Sequence, residues 1–239
     1  ILYQIYYQLI GFKMKRKYFL QLIILFFSLL LPAWGFAAEK ISSAEAENWA
    51  NHKGEEILNI LADKNLAQKY EKLDKILYQD IDLNNAARFA VGKYWKTMTK
   101  EQQNRYVPLF KKYIASLYKG YPLDLGKGSI GFKVSKVLQN KSGVDVFCDI
   151  QLKQPQKDSK NKDAASFKVL FVLVKNNGHI QVRDLKIGES SLLLAFRSRF
   201  YHIIYDESDE EIDWFLDDLQ TITDDNEQKN AEKLENAAF

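Results

Sequence analysis

The sequence predicts an α+β fold in which a four-stranded antiparallel sheet packs against a helical N-terminal half and two closing C-terminal helices. Three observations predict it. Apolar residues recur every three or four positions through residues 42–120, the period changes to two over residues 129–187, and the helical period returns from residue 190. Periods near 3.6 and 2 residues are the primary signals of helices and strands. Because strands are grouped together and helices precede and follow them, the class is α+β.

The N-terminal segment has the composition of an export signal. Met14 opens the basic stretch MKRKY, an apolar run covers residues 19–31, and small residues follow up to Ala37. This order is typical of a secretory signal peptide, and the apolar run is shorter than the roughly 20 residues that span a bilayer, which a membrane anchor would need. We expect residues 1–13 to be an over-extended start and residues 14–37 to be a signal peptide cleaved after Ala37.

The four helices before the sheet follow from apolar spacing and from two capping boxes. Ser42 with Glu45, and Thr99 with Gln102, have the Ser/Thr-x-x-Glu/Gln spacing that caps a helix N-terminus. The helix that starts after Thr99 has a broad aromatic face. We predict helices over residues 42–63, 66–78, 83–97 and 100–118.

The strands alternate apolar and polar residues, with one exception. The third, FKVLFVLVK, is apolar on both faces, as is typical of a strand covered on both sides. Asn176-Asn177-Gly178 is a hairpin signal between the third and fourth strands. We predict strands over residues 129–138, 143–153, 166–175 and 179–187, with a long flexible loop over residues 154–165.

Two helices are predicted after the sheet, over residues 190–205 and 209–222. From residue 223 the chain is polar, and we expect residues 223–239 to be a disordered acidic tail. Residues 38–222 are expected to form a single domain.

Charge is unevenly distributed along the chain. The formal charge is +3, and the four cations of the leader leave −1 for the remainder. Thirteen acidic and two basic residues follow Tyr205, so residues 206–239 carry −11 and residues 38–205 carry +10. A basic body is suited to an anionic ligand, whereas nucleic acid is not an expected partner of an exported chain. The single cysteine, Cys148, excludes an internal disulfide and is expected to be a buried apolar residue.

Candidate catalytic motifs fail on their context. The stretch GKGSIG at residues 126–131 matches the dinucleotide fingerprint, but it precedes a strand instead of a helix. The stretch GESSL at residues 188–192 lacks the closing glycine of a nucleophile elbow, and Ser190 or Ser191 is expected to cap the next helix. The three histidines have no metal-ligand spacing. Asp145 and Asp149 lie on the same face of a strand. A general acid and base pair is conceivable there, but the simpler interpretation is that this face is exposed to solvent. We therefore expect no catalysis, cofactor or metal.

Two stretches carry a family resemblance. The first, residues 80–118, contains Gly92-Lys93-Tyr94-Trp95-Lys96-Thr97-Met98-Thr99, and the second, residues 182–200, contains Asp184, Ser191-Leu192 and Phe196-Arg197-Ser198-Arg199-Phe200. Both resemble signatures of the MlaC, or toluene-tolerance auxiliary, family of periplasmic phospholipid carriers. The order of helices, sheet and closing helices also fits that family from about residue 43 to residue 221.

The resemblance implies a function for the apolar surfaces. Proteins of this family hold phospholipid acyl chains in an apolar cavity between sheet and helices, in the periplasm of Gram-negative bacteria. They pass lipid between an outer-membrane lipoprotein complex and an inner-membrane ABC transporter with its substrate-binding subunit, which maintains outer-membrane lipid asymmetry. The run Leu192–Phe196 is then expected to contact the tails. The headgroup is expected to lie near Lys96, Arg197 and Arg199. The expected tail cavity is lined by Val91, Tyr94, Trp95, Phe110, Tyr113, Leu117, Val146, Cys148, Ile150, Leu170, Val172, Val174, Ile187, Leu193, Phe196 and Phe200.

Two alternatives stay open from the residues alone. An ordinary packed core has the same periodicity as a core with a lipid-sized hole, which would leave an exported adaptor without cargo. An enzyme on a cone-shaped, ketosteroid-isomerase-like α+β fold would need a carboxylate in its cavity, with Asp184 or Asp149 as the first candidates. The three cations have a plain alternative too, since Arg197 is equally suited to pair with Asp184.

Overall fold

The computed structural model describes residues 40–121, 130–152 and 165–237. The predicted signal peptide and the long loop over residues 154–165 lie essentially outside the described residues. Four α-helices come first: α1 (Ser43–Leu61), α2 (Leu66–Asp80), α3 (Leu83–Val91) and, after a 3₁₀ helix at Gly92–Lys96, α4 (Lys100–Gly120). All four agree with the sequence-predicted helices to within two residues, except that the last turn of the third is 3₁₀.

Both predicted capping boxes are confirmed. The Ser42 hydroxyl accepts the Glu45 N–H at 3.1 Å, while the Glu45 carboxylate accepts the Ser42 N–H at 3.4 Å. Thr99 and Gln102 make the same reciprocal pair at 3.2 and 2.9 Å. These bonds satisfy N–H groups that a helix start leaves without a partner, so they fix where α1 and α4 begin.

Within the described residues the sheet has five strands, all antiparallel, in the order β1-β2-β3-β4-β5. The four predicted strands are confirmed as β1 (Ile130–Asn140), β2 (Gly143–Leu152), β3 (Ala165–Asn176) and β4 (His179–Ile187). The prediction of four strands was wrong by one, because β5 (Ser190–Ser191) folds back on β4 after the turn at Gly188. Two residues are too few to show an alternating pattern.

The register of the sheet defines two faces. The inner face carries Val144, Val146 and Cys148 of β2, which pair with Leu173, Phe171 and Val169 of β3. Helix α1 packs on this face, with Ala46 and Ala50 buried against it. Gly54 of α1 lies so close to the Phe132 ring that a methyl group there would overlap the ring, so glycine permits the approach of helix and sheet. The outer face carries Asp145, Phe147 and Asp149 with their partners on β3.

Two hydrophobic clusters make up the described core. The sheet cluster lies between α1 and the inner face. The helical cluster is formed by α3, the 3₁₀ helix, α4 and the closing helices, and it is rich in aromatic rings. Half-buried Ile81 packs against both clusters. Ile81 also forms a bridge with Val182 of β4, and the Asp82 N–H donates to the Val182 carbonyl at 2.9 Å, which attaches the helical layer to the edge of the sheet.

The closing helices are α5 (Leu192–His202), followed by a π-helical turn at Ile203–Glu207, and α6 (Ile212–Ala237). The prediction of a disordered tail from residue 223 is corrected here, because α6 continues to Ala237. The added turns pack on α4 through polar groups: the Asn230 amide donates to the Ser116 carbonyl at 2.9 Å, and the Lys233 ammonium donates to the Tyr121 carbonyl at 2.8 Å. A prediction based on apolar spacing does not detect such a polar contact.

Candidate functional site

The sheet contributes part of the predicted tail cavity. Val146 and Cys148 are buried on the inner face, and Ile150 and Ile187 lie on the same face by register. Val146 and Cys148 belong to the sheet cluster beneath α1. Because Ile150 lies farther along the strand and is only half-buried, the uncovered part of the inner face is at that end of β2.

Three predicted residues of β3 lie on the other side of the sheet. Leu170 and Val172 pair with Phe147 and Asp145 on the outer face, and Val174 follows in the same alternation. Their grouping with Val146 and Cys148 in one cavity is corrected by this register. The sequence analysis instead missed the inner-face residues of β3 and β4, which are Phe167, Val169, Phe171, Leu173 and Leu185.

The helical residues of the predicted cavity divide into two groups. The first group is buried within the helical cluster and consists of Val91, Tyr94, Phe110, Tyr113 and Phe200. Rings in this group are in mutual contact, with Phe200 centred 5.9 Å from Phe110 and 5.6 Å from Tyr113. Separations of this size leave no room between the rings for an acyl chain. These side chains therefore form packed core.

The second group borders the helical cluster and is only half-buried. It contains Trp95, Leu117, Leu193 and Phe196. Phe171 is half-buried at the border of the sheet cluster in the same way, and Ile81 contacts both clusters. We define the candidate apolar site as five of the half-buried apolar side chains that pack against one cluster or both: Ile81, Leu117, Phe171, Leu193 and Phe196. These side chains are apolar and only partly covered by the rest of the protein. A bound hydrocarbon chain would therefore displace water from them. The enclosed cavity itself stays a prediction.

A separate pocket of about 510 Å³ lies between α1 and α2. Its lining is Ile60 together with six polar side chains, among them His52, Glu55 and Lys72. A lining of this kind is hydrated, so the pocket offers no dry surface to an acyl chain.

The three predicted headgroup cations make separate contacts. The Arg197 guanidinium lies 5.0 Å from the centre of the Phe89 ring and donates to the Tyr201 hydroxyl at 3.3 Å. Arg199 pairs with Glu207 at 3.3 Å. Lys96 is exposed at the end of the 3₁₀ helix. Arg197 therefore has a structural role in joining α5 to the segment before the 3₁₀ helix.

Gly92 is the residue that permits this junction. Its φ of +50° lies in the left-handed region, and a Cβ there would overlap the Tyr201 hydroxyl and the Arg197 guanidinium. The Tyr201 hydroxyl accepts the Lys93 N–H at 3.0 Å, and the hydrogen bonds from Lys93 and Arg197 lower the Tyr201 pKa. The two stretches that carry the family resemblance thus touch each other at Gly92 and Arg197.

Replacing Gly92 with alanine should lower the free energy of unfolding by about 2–3 kcal/mol, through backbone strain and displacement of Arg197. Chemical denaturation measures the loss. Gly120→Ala is the matched control, since a Cβ at Gly120 meets nothing within 4 Å. Equal stability of the two variants would contradict the junction.

Asp184 is occupied by the start of α5. Its carboxylate accepts the Ser191 hydroxyl at 2.7 Å, the Leu193 N–H at 3.2 Å and the Leu185 N–H at 2.9 Å. Ser191 in turn accepts the Leu194 N–H at 3.2 Å, which confirms the predicted serine cap. Asp149, the other candidate acid, lies on the outer face. Neither carboxylate is arranged as a general acid or base at the candidate apolar site.

Three other features of the described residues concern the cysteine, metal ligands and membrane-spanning helices. Cys148 is buried, and this burial raises the pKa of its thiol to about 12. No group of three metal-ligating side chains occurs in residues 40–121, 130–152 and 165–237. No helix in the described part of the chain has both the length and the apolar character needed to cross a membrane.

Comparison with known proteins gives one family and one group of structures. The family model described as MlaC protein matches residues 52–221. Among solved structures, the fold resembles a phospholipid-binding protein from Ralstonia solanacearum in complex with a phospholipid. The TM-score is 0.59 and the identity 16%, over 76% of this chain and 98% of that one. At this identity the likeness shows a shared fold. No curated protein matches the chain.

Proposed function

The chain belongs to the MlaC family, and from this membership we propose that it binds phospholipid and carries it through an aqueous compartment. The observation that carries the proposal is the incomplete burial of the candidate apolar site between two otherwise well-packed clusters. The phospholipid bound to the Ralstonia protein of similar fold supports the choice of ligand.

The physical need for such a carrier is large. A phospholipid with two acyl chains exposes about 30 methylenes when it leaves a bilayer, at roughly 0.8 kcal/mol for each. Free lipid therefore crosses water too slowly to supply a membrane. A carrier has to cover the tails while making few contacts that are specific for one headgroup, because it must also release its cargo.

The cellular role follows from the family. We place the protein in the periplasm, after removal of the leader that the sequence predicts, and assign it the passage of phospholipid between an outer-membrane lipoprotein complex and an inner-membrane ABC transporter. Maintenance of outer-membrane asymmetry is the corresponding physiological function. Mass spectrometry of lipids extracted from the natively purified protein tests the ligand, and a lipid-free protein would leave the adaptor alternative.

The structure gives no support to the enzymatic alternative. A cone-shaped isomerase needs a carboxylate that faces its substrate, whereas Asp184 is bonded to Ser191 and to two backbone N–H groups. Breaking those bonds to free the carboxylate would expose the start of α5. The binding proposal needs no such rearrangement.

The register of β3 and β4 provides a matched test of the lipid site. Leu185 and Leu170 are both half-buried, but Leu185 lies on the inner face and Leu170 on the outer face. Leu185→Asp should reduce co-purified phospholipid about tenfold, because a carboxylate at an apolar site costs several kcal/mol. Leu170→Asp should retain its lipid.

Lipid content is measured by mass spectrometry per mole of protein, with circular dichroism as the check on folding. Equal lipid content in the two folded variants would show that the inner face is not part of the lipid site. Loss of lipid from Leu170→Asp alone would place the cargo on the outer face.

A further inference from the structure

Three large aliphatic side chains are exposed where β4 turns into α5. Ile187 is 53% exposed, Leu192 45% and Leu194 57%. We define Ile187–Leu194 as the aliphatic tip. The sequence analysis expected Ile187 to line the tail cavity and Leu192 to contact the tails; both side chains are exposed, and neither belongs to the candidate apolar site defined above. Several large exposed apolar groups in one short segment are unusual for a soluble surface and mark a contact site.

The exposure belongs to a fixed structure, since the backbone of the tip is held on both sides of the turn. Ile187 pairs with Ser190 and Lys186 with Ser191 in the sheet. The Gly188 N–H donates to the Lys168 carbonyl at 3.2 Å, and the Asp184 carboxylate accepts the Leu193 N–H. The aliphatic groups are therefore presented by an ordered turn.

Leu193 connects the tip to the interior. It lies between the two exposed leucines in sequence, yet its side chain packs against the helical cluster together with Phe196. Both residues belong to the candidate apolar site. The tip is thus adjacent along the chain to two residues of the surface proposed to hold acyl chains.

The exposed charges beside the tip are mainly positive. By register, Lys133, Lys168 and Lys186 lie on the outer face at this end of the sheet, together with Asp149 and Asp184. Lys133 and Lys168 are exposed, whereas both aspartates are half-buried, and Glu189 adds one exposed negative charge in the turn. These charges complement an anionic surface.

We propose that the aliphatic tip is a membrane-docking element that inserts into the surface of an anionic bilayer. Aliphatic side chains beside lysines favour a bilayer over a protein partner. Protein interfaces are enriched in Tyr, Trp and Arg and depleted in Lys, whereas aliphatic insertion combined with lysine attraction to anionic headgroups is the usual mode of interfacial membrane binding. This inference rests on the proposed phospholipid binding, because the tip would bring the candidate apolar site to the bilayer from which lipid is taken.

The test uses vesicles of phosphatidylethanolamine and phosphatidylglycerol and a flotation assay of the purified protein. The double variant Leu192→Ser/Leu194→Ser should weaken vesicle binding about tenfold or more, because two side chains lose their transfer into hydrocarbon. The matched control is Leu138→Ser on β1, which is 41% exposed. The control should bind like the original protein, and added salt should weaken binding because it screens the lysines.

The proposal would be overturned if the original protein did not bind vesicles, or if the double variant and the control bound them equally. If the double variant binds vesicles normally but exchanges lipid with isolated membranes more slowly, the proposal is overturned and the tip docks on a protein instead. Lipid content by mass spectrometry separates this inference from the proposed function. Both variants should retain co-purified phospholipid. An original protein that binds vesicles but carries no lipid would refute the proposed carrier function, while the docking element would stand.

Discussion

Replacing Phe200 with alanine should lower the free energy of unfolding by about 3–5 kcal/mol, the usual cost of removing a buried aromatic ring from a packed core. Phe200 is completely buried, and its ring contacts four others, with centres 5.5–6.3 Å away at Tyr106, Phe110, Tyr113 and Phe215. Urea denaturation followed by far-ultraviolet circular dichroism measures the loss.

Phe196→Ala is the control for this prediction. Phe196 is half-buried on the same helix and has one ring contact, 6.2 Å from Phe110. We expect its stability cost to be less than half that of Phe200→Ala, with a larger effect on bound lipid. The opposite pattern, in which Phe200→Ala is nearly as stable as the original protein but loses its lipid, would mean that Phe200 contacts cargo, as the sequence analysis expected.

Removing the last turns of α6 should destabilise the protein by about 2–4 kcal/mol, because the buried Ser116 carbonyl and the half-buried Lys119 carbonyl lose one donor each. Asn230 and Ser116 are buried, and the Asn226 amide also donates to the Ser116 hydroxyl at 3.2 Å. The Lys233 ammonium donates to the Lys119 carbonyl at 3.1 Å. The double variant Asn230→Ala/Lys233→Ala removes the Asn230 and Lys233 donors without shortening the chain, and it leaves the Asn226 amide in place.

Hydrogen exchange localises the second effect. We expect faster exchange of the amides near the end of α4 in the double variant, and no change in Lys229→Ala, whose side chain is exposed on the same helix. A chain that ends at Ile222 and is as stable as the full one would show that these bonds contribute nothing. These turns lie beyond the residues that the family model matches, which end at 221.

The elements that the sequence predicted best are those with a local cause. Helix starts at Ser43 and Lys100 follow from side chains three residues apart, and β2 follows from an alternation of apolar and polar residues that Phe147 alone interrupts. Strand β5 is too short to show a pattern, and the last turns of α6 depend on partners 112 to 114 residues away. Even so, Thr223, Asn226, Asn230 and Lys233 continue the three- and four-residue spacing of α6, so periodicity of polar residues was an available signal.

The site was predicted less well, because β3 is apolar on both faces and alternation cannot choose between them. The turn after β3 contained the missing information. Asn176 pairs with His179 across Asn177-Gly178, and the unbroken register of this hairpin places Leu173 opposite Val182. Since Val182 alternates with polar neighbours, it identifies the inner face and assigns Leu173 and Phe171 to it. Extending the hairpin register in this way would have excluded Leu170 and Val172.

The buried thiol of Cys148 has a chemical consequence. Burial raises the pKa of this thiol to about 12, so very little of it is ionised at neutral pH, and the thiolate is the form that attacks disulfides. The lone cysteine is therefore unreactive while α1 stays on the sheet, and the chain avoids disulfide-linked dimers without needing a second cysteine. The rate at which a disulfide reagent labels Cys148 should therefore measure how often α1 detaches from the sheet.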